Sequence, residues 1–257
     1  MGAELVVERS RGRSVVSTAR SSSPLRLLVP SGGGHAAWVF QSSLGGGFVG
    51  TDDVSLRVEV AAGASLWLSS QASSKVYRGA RSRFVLDASV RDGATLVTWP
   101  DPVVCFAGAT FDQTQRFSLA PTASLIAVDA WTAGRVGRGE RWAFDRLTTR
   151  LAIEIDGTMV LDDAMLLSNA HGDLSTRLGS ADAFAMIAIA GIACDALAAE
   201  IAARPLGWPL ITASRWPWGL VIRIAATTTE SLVHAMHELL RGSVIAAIDA
   251  DPWTRKW

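Results

Sequence analysis

Two histidines near the C-terminus have the spacing of a metal-binding pair. His234 and His237 lie three residues apart in a segment with a helical pattern, and Glu238 follows directly. Side chains three residues apart on a helix face the same way, so the pair could hold a divalent metal. The alternative is that the two imidazoles form a solvated edge of an amphipathic helix. His35 and His171 have no partner at ligand spacing, which argues against a closed metal cage.

The motifs of the common enzyme classes do not occur in the sequence. There is no Gly-x-Ser-x-Gly, no glycine loop ending in Lys-Ser/Thr, no His-Glu-x-x-His and no Cys-x-x-Cys. We therefore expect a protein that binds other proteins and is not an enzyme.

Two alternatives stay open at this stage. A carbohydrate-active enzyme of the β-solenoid type could use Asp52 with Asp53, or Asp162 with Asp163, as acid and base. Adjacent residues of a strand point to opposite faces, however, so neither pair converges on one bond unaided. A carbohydrate-binding module would instead present a row of exposed tryptophans on one face.

Two segments carry unusual side chains for their surroundings. Residues 69–78 are polar within an apolar β region and contain Lys75 and Tyr77, the only tyrosine. Such a strand is suited to line a groove or an internal channel, or to form a solvent-facing edge. Residues 134–145 combine three glycines, three arginines, two carboxylates and two aromatic rings. Arginine and tryptophan are favoured at the centres of protein interfaces, so this segment is predicted to contact a partner.

Composition excludes several classes of partner. The chain has 257 residues, 49% of them hydrophobic, with 24 basic and 24 acidic side chains. A balanced charge gives no field that attracts nucleic acid or an acidic membrane surface. The longest apolar run, residues 183–194, is shorter than the roughly 20 residues of a spanning helix. Charged residues near the N-terminus and the two cysteines in apolar stretches indicate a cytoplasmic protein with reduced thiols.

The elements that must position these side chains are mainly strands. Residues 54–60 alternate apolar and polar side chains, which predicts a half-buried strand. Three similar segments place alanines at 64, 94 and 123, spaced by 30 and 29 residues. We predict stacked β-hairpins in a β-helix-like or β-sandwich-like scaffold, since a fixed period of this size is typical of repeats that cover one another's apolar faces. Asp156-Gly157 predicts the turn of a further hairpin.

The C-terminal part is predicted to add two helices. The first covers 183–203 with Asp182 as its N-cap, and the second starts at Thr227 with Glu230 in a capping box and ends near Arg241, before Gly242. Residues 218–224 predict one more buried strand between them. We expect a single domain over 1–257, with a β-rich body at 1–167 and a helix-containing part at 168–257.

Several motifs in register resemble the UreD (UreH) family of urease accessory proteins. They are Gly46-Gly47-Phe48-Val49-Gly50-Thr51-Asp52, Ser70-Gln71-Ala72-Ser73-Ser74-Lys75-Val76-Tyr77-Arg78, Trp99-Pro100-Asp101-Pro102, Gly134-Arg135-Val136-Gly137-Arg138-Gly139-Glu140-Arg141-Trp142, Gly219-Leu220-Val221-Ile222-Arg223 and Asp251-Pro252-Trp253-Thr254-Arg255-Lys256-Trp257. The resemblance runs from Gly45 to Trp257.

The resemblance implies a scaffold that helps to load nickel into urease. It implies binding to apo-urease and to UreF, which recruits the GTPase UreG, and a dimer formed through the UreF complex. No cofactor is expected to be tightly bound; nickel(II) would be cargo in transit. Carried onto this sequence, the side chains expected along the nickel route are Asp52, Lys75, Tyr77, Asp129 and Glu140. Those expected to contact partners are Arg135, Arg138, Arg141, Trp142, Trp253 and Trp257.

Overall fold

A computed structural model describes residues 2–30 and 34–255. In this part of the chain the strands are β1 (Gly2–Ser10), β2 (Arg13–Ser21), β3 (Leu25–Leu28), β4 (Ala37–Ser43), β5 (Gly47–Phe48), β6 (Asp53–Val60), β7 (Ser65–Ser70), β8 (Lys75–Val76), β9 (Ser82–Val90), β10 (Thr95–Trp99), β11 (Val103–Cys105), β12 (Thr110–Leu119), β13 (Ser124–Thr132), β14 (Gly134–Arg135), β15 (Glu140–Arg141), β16 (Arg146–Ile155), β17 (Thr158–Leu167), β18 (Ala183–Ala190), β19 (Leu210–Trp216) and β20 (Gly219–Ala226). The helices are α1 (Leu174–Leu178), α2 (Asp195–Ala203) and α3 (Thr229–Ile248).

Two large sheets face each other. The first sheet has the order β17-β16-β12-β9-β6-β1-β2, and the second has β19-β20-β18-β13-β10-β7-β4-β3, with β5, β8 and β11 attached at its side. Within the first sheet β6, β9, β12 and β16 are parallel, and within the second β4, β7, β10 and β13 are parallel. The predicted mainly β fold is confirmed.

The repeats are coils of a β-helix and not hairpins, which corrects the sequence prediction. In each unit one strand belongs to the first sheet and the next strand crosses to the second, so the two arms do not pair with each other. Each arm instead pairs in parallel with the equivalent arm of the neighbouring unit. A hairpin and a coil have the same turn residues and the same alternation of apolar and polar side chains, because both signals are local in sequence. The two differ in which strands pair with each other, and that pairing is long-range.

The periodic alanines mark the corners of these coils. Ala64 and Ala94 are fully buried and Ala123 is nearly so. At each corner the alanine N–H donates to the carbonyl three residues earlier, at 3.0 Å. Successive corners are joined as well: the N–H of Thr95 donates to the carbonyl of Ala64, and that of Ser124 to the carbonyl of Ala94, both at 2.9 Å. A larger side chain at these sites would separate the stacked corners.

Helices α2 and α3 form a third layer on the outer face of the second sheet, whereas Leu174 of α1 belongs to the core between the sheets. One apolar core lies between the sheets and includes Leu56, Leu96 and Phe111. A second core lies between the second sheet and the helices and includes Ile222 of β20 and Leu240 of α3. Strands β13 and β18 are therefore covered on both faces.

The predicted helix over 183–203 is wrong in its first half. Residues Ala183–Ala190 form β18, which pairs with β13 on one side and β20 on the other. Both faces of this strand are buried, so it has no polar alternation and reads as a continuous apolar run. The helix α2 begins only at Asp195, and Asp182 accepts a hydrogen bond from Arg141 at 2.5 Å.

The second predicted helix exists but with different ends. Thr228 is the N-cap of α3, and its hydroxyl accepts a hydrogen bond from the N–H of Ser231 at 3.1 Å. The helix continues through Gly242 to Ile248. Glycine destabilises a helix interior by about 1 kcal/mol, an amount that burial of Val244 and Ile248 offsets.

The remaining strand predictions are confirmed. The predicted strand over 54–60 is β6, the one over 218–224 is β20, and β16 pairs with β17 as an antiparallel hairpin. At the hairpin turn Asp156 and Gly157 have φ of 50° and 72°, the left-handed pair that an Asp-Gly turn requires. Among the described residues no helix is both long and apolar enough to cross a bilayer.

Candidate functional site

A cavity of about 300 Å³ enters the space between the two sheets. Its exposed mouth is formed by the glycine turn at Gly46 and by the polar segment at Gln71 and Lys75. Its inner wall carries the buried side chains of Gln113 and Gln115. The polar segment 69–78 thus lines a cavity, as one of the two sequence readings proposed.

Behind the inner wall lies a buried carboxylate. Asp129 on β13 is 2% exposed, and Gln113 Nε2 donates to its Oδ1 at 2.7 Å. The hydroxyl of Thr149 on β16 hydrogen-bonds to the same carboxylate. Burial raises the pKa of Asp129 to about 6, the two hydrogen bonds oppose the rise, and the negative charge of Asp163 adds to it. An acid of this kind exchanges its proton near neutral pH.

A second cavity, of about 270 Å³, lies beyond Asp129 at the open edge of the sheets. The first sheet ends at β17, whereas the second continues into β20 and β19. The wall contains the rings and thioethers of Trp131, Phe184, Met165 and Met186, together with Asp163 and Arg223. Arg223 Nη2 donates to Asp163 Oδ2, which joins the two sheets.

A row of polar side chains therefore leads through the apolar sandwich from one cavity to the other. It consists of Thr98, Gln115, Gln113, Asp129, Thr149, Asp163 and Arg223. We call this row the polar path. Asp129 lines neither cavity, so in this structure the path is closed at its carboxylate. Of the route residues expected from the sequence, Asp129 lies on the path and Lys75 lies at the mouth of the first cavity.

Asp52, Tyr77 and Glu140 lie outside the cavities. The carboxylate of Asp52 accepts a hydrogen bond from the N–H of Val49 at 2.9 Å and so closes the turn over residues 49–52, which follows β5. Tyr77 packs edge-on against Phe106, with 5.0 Å between the ring centroids. Its hydroxyl lies near Gly46, at 3.9 Å from the position a Cβ there would take.

Glu140 is held by Arg135 in a two-point ion pair. Arg135 Nε donates to Glu140 Oε2 at 2.8 Å, and its Nη2 donates to Oε1. The N–H of Ala107 adds a hydrogen bond at 3.2 Å. The hydrogen bond from Arg135 is the main cause of a lowered pKa of Glu140. Arg135 also stacks over Phe106 at 4.0 Å, which links this pair to Tyr77. A carboxylate with these partners has few lone pairs free for a metal.

The segment around this pair is a small hairpin, which we call the glycine–arginine hairpin (residues 134–141). Strands β14 and β15 form its stem, and a 3-10 turn at Val136–Arg138 forms its tip. The stem is anchored by Arg141, which donates to Asp182 and to the carbonyls of Gly179 and Ala181. Val136 and Arg138 at the tip are exposed.

The tryptophans expected at interfaces have different positions. Trp142 is 1% exposed and packs against Phe144 and Phe184, so it is a core residue, and we leave it out of any partner surface. Trp253 is half-buried and packs edge-on against Trp67 and Trp99, where it fixes the C-terminal turn. Trp257 lies outside the described residues.

The two histidines of the predicted metal-binding pair have different surroundings. His234 is exposed and lies 3.9 Å from Glu238, whereas His237 packs on the Trp253 ring at 4.5 Å between centroids. Burial lowers the pKa of His237. Across residues 2–30 and 34–255, no group of three His, Cys, Asp or Glu side chains is arranged to hold a metal. The thiol of Cys105 is buried, which raises its pKa to about 12 and keeps it protonated.

The carboxylate pairs of the enzyme alternative do not converge. Asp162 pairs with Arg150 on the outer face of the first sheet, whereas the adjacent Asp163 faces Arg223 on the inside. Asp53 lies 3.9 Å from Arg83 on the surface. The carbohydrate-binding alternative predicts a row of exposed tryptophans. Among the described residues Trp208 and Trp218 are exposed, each by about half.

Sequence reasoning missed every other member of the path besides Asp129: Thr98, Gln113, Gln115, Thr149, Asp163 and Arg223. A signal for the glutamines was present in β12, where the inward positions read Phe111, Gln113, Gln115 and Phe117. Two amides in the inward phase of a strand with phenylalanines on both sides indicate a polar interior. Thr149 and Arg223 could not be found in this way, because their place depends on which strands meet across the sandwich.

The fold and the site define a class: a β-helical scaffold with a polar path through its interior, in which the carboxylate pairs considered for catalysis point apart. A family model described as UreD urease accessory protein matches residues 2–255. The chain is 44% identical to the urease accessory protein UreD of Sorangium cellulosum, over 99% of this chain and 83% of that protein. It is 40% identical to UreD of Anaeromyxobacter, over 97% of this chain and 87% of that protein. With urease accessory protein D of Arabidopsis thaliana it shares 32% identity over 73% of this chain and 67% of that protein.

The chain therefore belongs to the UreD family of urease accessory proteins, and its role lies in urease maturation.

Proposed function

We propose that this chain is the scaffold of a UreD–UreF–UreG complex that binds apo-urease and passes nickel(II) toward its active site. UreF binds this chain and recruits UreG, and two copies of the assembly meet through UreF as a dimer. The chain carries the cargo and leaves the chemistry to its partners. We place the complex in the cytoplasm, since both cysteines are unpaired thiols, the state favoured in a reducing compartment.

The observation that carries this proposal is the polar path. Burying a carboxylate between two apolar sheets is costly, and a scaffold needs no such group for its fold. Asp129 nevertheless lies there, with amide and hydroxyl groups on both sides of it. These are oxygen ligands that nickel(II) accepts, and their small number suits a carrier that must release the ion. A pKa of about 6 lets the carboxylate exchange a proton for the cation near neutral pH.

The glycine–arginine hairpin is the surface we propose for partner contact. Its stem is fixed by the ion pairs of Arg135 and Arg141, so its tip is held in one place. Exposed Val136 and Arg138 at the tip combine an apolar and a cationic contact. A preorganised tip of this kind binds without a large ordering cost.

The charge reversal Arg138→Glu tests this surface. We expect it to weaken co-purification with one partner, UreF or apo-urease, by roughly tenfold, the size expected when an interfacial arginine is lost. The measurement is affinity of the co-expressed chain for each partner separately, followed by the nickel content of the recovered urease. Arg26→Glu on β3, another exposed arginine, is the matched control. If the Arg138 variant bound both partners as tightly as the native chain does, the hairpin would be removed from the proposal. Failure of the native chain to co-purify with either partner would remove the scaffold role itself.

A further inference from the structure

Arg223 lies at the outer end of a row of side chains that begins at Asp129. In the second sheet Asp129 is directly opposite Met186, and Met186 is directly opposite Arg223. Residues directly opposite in antiparallel strands project from the same face, about 5 Å apart. All three therefore point between the sheets, and Arg223 is the cationic member of the row.

The partner of Arg223 comes from the other sheet. Asp163 lies on β17, which is the last strand of the first sheet, 60 residues away in sequence. The side chain of Asp163 is 28% exposed, and that of Arg223 is 52% exposed. The rest of the second cavity is mostly apolar, with Met165, Phe184 and Leu210 in its wall. Asp163 is thus the carboxylate that a cation leaving Asp129 meets next.

The two carboxylates influence each other. The negative charge of Asp163 contributes to the raised pKa of Asp129, so its field extends to the buried end of the row. A divalent cation between them would be attracted by both. In the structure, however, the guanidinium of Arg223 neutralises Asp163.

Building on the proposed function, we propose that Arg223 is the gate of the polar path: its guanidinium occupies Asp163 in the cation's place and must leave for nickel(II) to pass. An ion pair this exposed is weak, because water screens it, and a half-exposed arginine changes rotamer rapidly. Arg223 then prevents Asp129 and Asp163 from acting together as a trap. Release of the cargo follows when the guanidinium returns to Asp163.

The alternative role of the pair is structural. Arg223 and Asp163 join the edge of the first sheet to β20, and such a tie could serve only to hold the sheets together. The two roles predict different results for nickel binding, because a structural tie alters stability without changing the affinity for a cation.

The test uses the full-length chain, purified with UreF where UreF co-purifies, and Ni²⁺ in equilibrium dialysis. We expect Arg223→Gln to bind Ni²⁺ about fivefold or more tightly than the native chain, since the competing cation is gone. Adding Asp163→Asn should return the affinity to the native value, and Arg223→Lys should keep it there. Arg150→Gln is the matched control, because Arg150 pairs with the adjacent Asp162 on the outer face.

Two results would overturn the gate. One is an unchanged nickel affinity in Arg223→Gln together with a lowered melting temperature, which is the outcome of a structural tie. The other is a gain of affinity that persists when Asp163 is replaced. The dialysis needs no urease, so it is independent of nickel transfer to urease. An Asp129 variant that fails to deliver nickel, together with an Arg223→Gln variant whose nickel affinity is unchanged, would support the route and reject the gate.

Discussion

Replacing Asp129 by asparagine should leave urease short of nickel while the accessory complex still assembles. The substitution keeps the size of the side chain and leaves an oxygen to accept the hydrogen bond from Gln113. It removes the negative charge at the point where the polar path is closed. A neutral amide is a poorer nickel ligand than a carboxylate, so we expect about a tenfold or greater fall in nickel per urease active site.

The measurement is metal analysis of urease purified from cells that express the variant in place of the native chain. Asp87→Asn is the matched control, since Asp87 is an exposed carboxylate paired with Arg116 on the outer face of the first sheet. The amounts of this chain, UreF and urease recovered together must be unchanged in both variants. Normal nickel content in the Asp129 variant would show that the cargo does not depend on this carboxylate.

The same substitution should make the protein more stable, and the gain should depend on pH. Asp129 has a pKa of about 6 in the folded chain and, as for ordinary aspartates, about 4 in the unfolded chain. Between these values the folded state binds more protons than the unfolded state, so stability falls as pH rises. Above pH 6 the whole cost of ionising a buried carboxylate is present, which is about 3 kcal/mol at 1.4 kcal/mol per pKa unit.

The expected difference between Asp129→Asn and the native chain is therefore near zero at pH 4 and reaches about 3 kcal/mol in favour of the variant by pH 7. Urea unfolding at a series of pH values measures it, because contributions of other groups cancel in the difference. Asp87→Asn should show no such trend. A gain that is the same at every pH, or a variant that is less stable at pH 7, would contradict the assigned pKa. A variant with higher stability and lower nickel delivery would also separate function from folding.

Much of the scaffold could be predicted from the sequence, and the errors have specific physical causes. The alanines at 64, 94 and 123 revealed the period, because every coil needs a small residue at its corner. They could not distinguish hairpins from coils, since that depends on whether an arm pairs with its own unit or with the next. Residues 183–190 were assigned to a helix because a strand covered on both faces has no alternation to reveal it.

The site was predictable to a smaller extent. Asp129 was named through the family resemblance and Lys75 through the polar segment, and both lie along or beside the path. Glu140 was also named through the family resemblance, yet its carboxylate is held by Arg135 within the glycine–arginine hairpin. The partners that give Asp129 its properties are Gln113 of β12, 16 residues before it, and Thr149 of β16, 20 residues after it. Their meeting is a property of the assembled sandwich.

If nickel(II) passes through the interior of this chain, filling the first cavity should block its delivery to urease. Gln115→Trp places a large ring at the inner wall of the cavity without altering a carboxylate. Arg116→Trp, the next residue on the opposite face of β12, is the matched control. The measurement is nickel per urease in complexes of normal composition. We predict a marked loss for Gln115→Trp and none for Arg116→Trp; full nickel loading with the cavity filled would show that nickel(II) does not pass through this chain.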